Sequence, residues 1–119
     1  ASGLATLAEL AKPGVYDRLD AMTARLAKGL EEGAAKAGVP VRVQRLGSMV
    51  TVFFASEEIV DWPSAAKADR GRFGTWHRAL LDRGVYWPPA QFEAAFVSTA
   101  HSDADVDRTV TAAAEAFSA

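Results

Sequence analysis

"VPVRVQRLGSMVTVFFA", residues 39–55, is the stretch whose reading decides the fold. Val39, Val41 and Val43 alternate with Pro40, Arg42 and Gln44, the period of a strand with one wet face. "MVTVFFA" is apolar on both faces and predicts a more central strand. Gly47-Ser48 between them is a tight turn, so the pair reads as an antiparallel hairpin. A phosphate cradle would need a strand running into a helix N-terminus, and "RLGSMV" joins strand to strand. Dinucleotide binding at this turn is therefore excluded.

Helical patterns flank the hairpin. Tyr16, Leu19, Met22, Leu26 and Leu30 recur at steps of three or four and predict an amphipathic helix over 15–37, closed by Gly38 with Pro40 two residues beyond. Downstream, "SEEIVDWPSAAKAD" reads as a loop in which Pro63 starts a short helical turn. Phe73, Trp76, His77, Leu80 and Leu81 form a second helical face that Gly84 ends, and "VYW", residues 85–87, is expected as a third short strand stopped by Pro88-Pro89. A further strand is open at 95–98. Ser102 with Asp105 is an acidic form of the capping box, and Val106, Val110, Ala113 and Phe117 follow at helical spacing. The order predicts an α+β domain: a small, mainly antiparallel sheet with helices packed on one face.

Size and charge narrow the function. A chain of 119 residues supports one core. With a net charge of -2 and no basic stripe, the electrostatic footprint of nucleic-acid binding is missing. The sequence has no cysteine, no membrane-length apolar run and no signal-like start, which leads us to expect a soluble cytoplasmic protein. It opens without Met, and Leu4, Leu7 and Leu10 form an apolar stripe from the first turn that needs cover, so an upstream continuation is expected.

No catalytic constellation stands out by spacing. His77 and His101 have no partner at a metal-ligand interval, and they read as a helix-face residue and a residue leading into the Ser102 cap. No G-x-S-x-G elbow is present. Lys12, Lys28, Lys36 and Lys67 all fall in polar or helix-surface contexts, unlike a desolvated Schiff-base lysine. Glu93 differs from the other acids. It follows a rigid Pro-Pro and an aromatic and precedes Ala94, Ala95 and Phe96, which predicts a carboxylate against an apolar wall that needs a partner or a ligand.

"GSMVTVFFA", "DRGVYWPPAQFEAAFVSTAH" and "SDADVDRTV" resemble, in order and spacing, the carboxy-terminal part of the glutamate-1-semialdehyde 2,1-aminomutases, pyridoxal-phosphate enzymes of the class III aminotransferase group. The opening "GLATLAELAKPGVYDRL" is similar to that family's helix between the large cofactor domain and the small one. Three departures stand within the match: Ala90 where the family commonly has Ser, Val50 where Phe is usual, and Trp87 where Leu is frequent.

The resemblance implies that residues 1–14 are a remnant of the interdomain helix and residues 15–119 the C-terminal small domain of a fold type I homodimer. It also implies that pyridoxal phosphate is held, with its lysine, by a large domain outside this chain, and that the isolated chain is inactive. The reaction implied is the intramolecular conversion of (S)-4-amino-5-oxopentanoate to 5-aminolevulinate, in tetrapyrrole biosynthesis. Gln91 and Glu93 then belong to a substrate-site network, with no catalytic, cofactor-binding or metal-binding residue expected here. Two alternatives stay open: a free-standing α+β binding or regulatory module, and another class III aminotransferase, which the Gln91-Phe92-Glu93 stretch disfavours.

Overall fold

The computed structural model describes residues 1–119. The hairpin forms as its pattern requires: β1 (Arg42–Leu46) pairs antiparallel with β2 (Met49–Phe53), with Leu46 opposite Met49 across the Gly47-Ser48 turn. Gly47 sits at φ +56°, a conformation glycine adopts without the Cβ penalty. A two-residue strand, β3 (Ala95–Phe96), adds to the free side of β2, so the sheet order is β1-β2-β3 and β2 is central.

Two expectations about the strands need correction. The first strand begins at Arg42, not at Val39, because helix α2 (Val15–Lys36) extends its capping hydrogen bonds into that stretch. Gly38, at φ +67°, donates its N–H to the Ala35 carbonyl at 3.1 Å, and Val39 donates to the Ala34 carbonyl at 2.9 Å. This is a Schellman closure, which takes the Val39 N–H out of the ladder, while Pro40 has none to give. "VYW" is not a strand either. Val85 is consumed by the same closure at the end of α4 (Arg70–Asp82), donating to the Leu80 carbonyl at 3.0 Å after Gly84 donates to Leu81 at 2.9 Å. Trp87 is instead buried edge-on against Trp76, with ring centres 5.6 Å apart.

Helices cover one face of the sheet. Helix α2 lies over β1 and β2, and α5 (Asp103–Ala116) packs along α2, with α4 beside α5. Val50 and Val52 point from β2 into a core that holds Leu26, Leu30, Phe54, Trp76, Leu80 and Phe117. The α2/α5 seam is made close by glycine. A Cβ on Gly29 would lie 2.5 and 2.6 Å from the two Val110 methyls, and one on Gly33 would lie 3.2 Å from Ala114. Across the seam's edge Arg25 reaches Asp107 at 2.6 Å.

The other sheet face is covered only at one end. There Phe53 packs with Ile59, Ala65 and Ala68, beneath the short α3 (Trp62–Ala65), the helical turn expected at Pro63, which Asp61 caps. At the amino end, α1 (Ser2–Leu10) buries no residue, leaving Leu4 and Leu7 exposed as the apolar stripe implied. No helix is long and apolar enough to cross a membrane.

The seam generates a paired prediction. Gly29→Ala drives a methyl into Val110 and is expected to cost about 1–3 kcal/mol. Gly74→Ala, in α4 with nothing within 4 Å of the new Cβ, is expected to gain roughly 0.8–1 kcal/mol. Urea titrations of the two variants beside the parent chain check the opposite signs.

Candidate functional site

Residues 85–97 have little backbone pairing of their own, and side chains fix them to the core. His77, from α4, hydrogen-bonds through Nε2 to the Trp87 carbonyl at 2.8 Å while its ring stacks on Phe73. Its role is the helix-face one read from the sequence. Gln91 is 3% exposed, and its Oε1 accepts the Phe54 N–H at 3.1 Å, the first amide beyond β2. The other end of that amide, Nε2, is buried without a hydrogen-bond partner.

Glu93 is placed differently from the expectation. Its N–H donates to the Ala90 carbonyl at 3.1 Å and its carbonyl accepts from Thr51 Oγ1 at 3.3 Å, so the backbone is tied to β2. The residue is exposed, and its carboxylate has neither cation nor hydrogen-bond donor against it. Water solvates it, and the desolvation cost inferred from its apolar neighbours does not arise. Gln91 and Glu93 lie on the same short segment but turn opposite ways, one into the core and one to solvent.

Between this segment and the first turns of α5 runs a cleft of about 620 Å³. Trp87, Pro88, Phe96 and Val97 supply apolar wall, while Glu93 and Arg108 bring opposite charges to it. Arg108 and its neighbour Asp105, on the α5 side, were not singled out as site residues. Their i, i+3 spacing was the available signal, but nothing in the sequence says which cleft that helix edge borders. Ser102 Oγ and N both donate to Asp105 Oδ2, at 2.7 and 2.9 Å, and Arg108 holds Oδ1 at 3.0 Å. These bonds, led by the Ser102 hydroxyl, hold the Asp105 carboxyl below its ordinary value of 3.8. His101 leads into this cap as expected, its Nδ1 accepting the Ser98 N–H at 2.9 Å.

All four lysines are exposed, and none lines the cleft. No group of three His, Cys, Asp or Glu side chains is arranged to hold a metal ion. The residues present do not fit pyridoxal phosphate by themselves, for want of both a desolvated lysine and a phosphate cradle.

The chain is 52% identical to the glutamate-1-semialdehyde 2,1-aminomutase of Desulfosudis oleivorans and 50% identical to that of Desulforudis audaxviator, in each case over 117 residues and 98% of its length. Along nearly its whole length it is similar to the aminomutases. It spans only about a quarter of their length, 27% in both cases. No family model matches it. Among solved structures, a glutamate-1-semialdehyde aminomutase from Pseudomonas aeruginosa PAO1 superposes over 94% of this chain and 25% of its own, with a TM-score of 0.81 at 24% identity. An omega-transaminase from Sphaerobacter thermophilus covers 89% of this chain and 24% of its own, with a TM-score of 0.74 at 27% identity. The fold is thus that of the C-terminal domain of fold type I pyridoxal-phosphate enzymes.

Two expected outcomes follow from this geometry. Gln91→Leu keeps most of the volume but strands the Phe54 N–H, and is expected to cost about 1–3 kcal/mol by chemical denaturation. For Asp105 the folded value is depressed, so its stabilisation is present in full above about pH 5 and is lost as the pH falls through the still lower folded value. Ser102→Ala should therefore melt below the parent chain at pH 7, with the difference narrowing in acid when melting temperatures are followed from neutral to strongly acidic pH.

Proposed function

We propose that the chain is the carboxy-terminal small domain of a cytoplasmic, homodimeric glutamate-1-semialdehyde 2,1-aminomutase, with residues 15–119 as the domain and residues 1–14 as the end of the helix from the large domain. The observation that carries this reading is the match of about 50% identity along 98% of the chain to proteins of that name. The reaction is the intramolecular transfer of an amino group that turns (S)-4-amino-5-oxopentanoate into 5-aminolevulinate. Pyridoxal phosphate supplies the electron sink for such chemistry, and its lysine belongs to the large domain.

Within that reading the chain contributes a wall. Glu93 presents a solvent-exposed carboxyl group beside an apolar cleft, a group suited to accept hydrogen bonds from an ammonium or a hydroxyl once the large domain closes the site. Gln91 acts through Glu93: by gripping the Phe54 N–H it fixes the segment that carries the carboxylate. The isolated chain, with its lysines on the surface, is inactive.

The test uses the full-length protein supplied with the semialdehyde. Formation of 5-aminolevulinate is expected, and its absence would overturn the reading. Glu93→Gln should lower kcat/KM about tenfold or more, equivalent to roughly 1.4 kcal/mol of transition-state stabilisation. Unchanged kcat and KM would return Glu93 to an ordinary surface role.

A further inference from the structure

We propose that His101 is a proton-sensitive latch at the mouth of the cleft: its neutral imidazole ties the chain just past β3 to the start of α5, and acid releases the tie. The turn between these elements is closed by one residue pair. Val97 still donates to the Ser48 carbonyl at 2.9 Å, but Ser98 has left the sheet, and its N–H goes to His101 Nδ1 at 2.9 Å. The Ser98 hydroxyl lies 3.2 Å from the same nitrogen and accepts the Ala100 N–H at 3.3 Å, so its own proton is free to point at the ring. In return the His101 N–H donates to the Ser98 carbonyl at 3.1 Å. The next residue, Ser102, caps α5.

This wiring fixes the chemical state of the ring. A backbone N–H can only donate, so Nδ1 must offer its lone pair, and the single proton of a neutral imidazole sits on Nε2. A second proton has only Nδ1 to go to, where it meets the Ser98 N–H head on. The closed latch therefore binds one proton fewer than the open one, and acid shifts the balance towards opening.

His77, the other histidine of the chain, is wired the opposite way. Its Nε2 faces the Trp87 carbonyl at 2.8 Å. A carbonyl only accepts, so the proton is already on Nε2, and charging Nδ1 leaves that bond in place. The same acid that opens the His101 contact preserves the His77 contact.

The charged groups around His101 do not replace the lost bond. Arg18 of α2 donates from Nη2 to the His101 carbonyl at 3.4 Å, a contact that does not involve the ring. Asp105 and Arg108 of α5, with Tyr86 and Glu93 of the facing segment, line the same cleft as His101. Asp105 is already engaged by Ser102 and Arg108. Because the bond from the His101 N–H to Ser98 is indifferent to the charge on the ring, opening is local. The backbone turn stays closed while the ring swings free, and the cleft mouth exchanges a fixed neutral donor for a mobile cation.

Nitrogen-15 NMR of this chain tests the latch, whichever enzyme the chain belongs to. Near neutral pH His101 is expected in the Nε2–H form, with a scalar coupling across the hydrogen bond between the Ser98 nitrogen and Nδ1. On acidification that coupling is expected to be lost, and the Ser98 amide proton to move upfield with the same midpoint as the His101 ring. The His77 Nε2 proton should remain visible throughout. His101→Asn supplies an oxygen that can take the Ser98 N–H without titrating, and should keep the Ser98 amide downfield at every pH, whereas His101→Ala should leave it upfield at every pH. An Nδ1–H form of His101 at neutral pH, or a Ser98 amide that ignores the titration of the ring, would overturn the proposal.

Discussion

Strand β2 is apolar on both sides, and the rest of the structure is arranged around the need to cover it. Val50 and Val52 call for a helical layer on one face, which α2 and α5 supply. Phe53 calls for cover on the other, which the 59–68 segment supplies at one end. β2 has a partner on each edge, and just past its end the Phe54 N–H, with no strand beside it, needs an acceptor. Gln91 provides it. The same strand thus anchors the core, through its side chains, and the segment that bears Glu93, through the amide that follows its last residue.

The α2/α5 seam makes that anchoring consequential for the cleft. With glycines at 29 and 33, α5 can lie close to α2, and its first turns then form the far wall opposite Trp87 and Val97. Cleft width is therefore a property of helix packing on the opposite side of α5. Arg25 with Asp107 reinforces the seam at the surface, but exposed pairs of this kind contribute well under the packing term.

Most of the fold was legible because its signals are local. The periodicity of residues 16–30, the glycines at 38 and 84, and the Ser102-Asp105 cap each act within one or two turns of chain. The errors at Val39 and "VYW" share one cause. Each is the residue run just after a helix-ending glycine, where β-branched and aromatic residues look like strand but the capping bonds have already taken the amide. A valine right after such a glycine is better read as the hydrophobic member of the closure than as the start of a strand. The two-residue β3 was visible only as an open possibility, since two residues carry almost no period.

The site was harder to read, for a reason that bears on function. Apolar neighbours in sequence predicted a confined Glu93, yet the carboxylate faces water and the polar group that is confined is Gln91. After two prolines the chain follows turns instead of a strand, so alternation no longer tells inside from outside. Burial of Gln91 and exposure of Glu93 are complementary. An anchoring amide must be dry to hold its partner firmly, and a carboxylate left open to solvent needs no partner within the chain. The cost of the arrangement is the Gln91 Nε2 donor left unpaired in the core. A leucine there would avoid that orphan but would break the tie between the segment and the Phe54 amide, leaving the Thr51 hydroxyl and the β3 pairing to hold the backbone around Glu93 on the sheet.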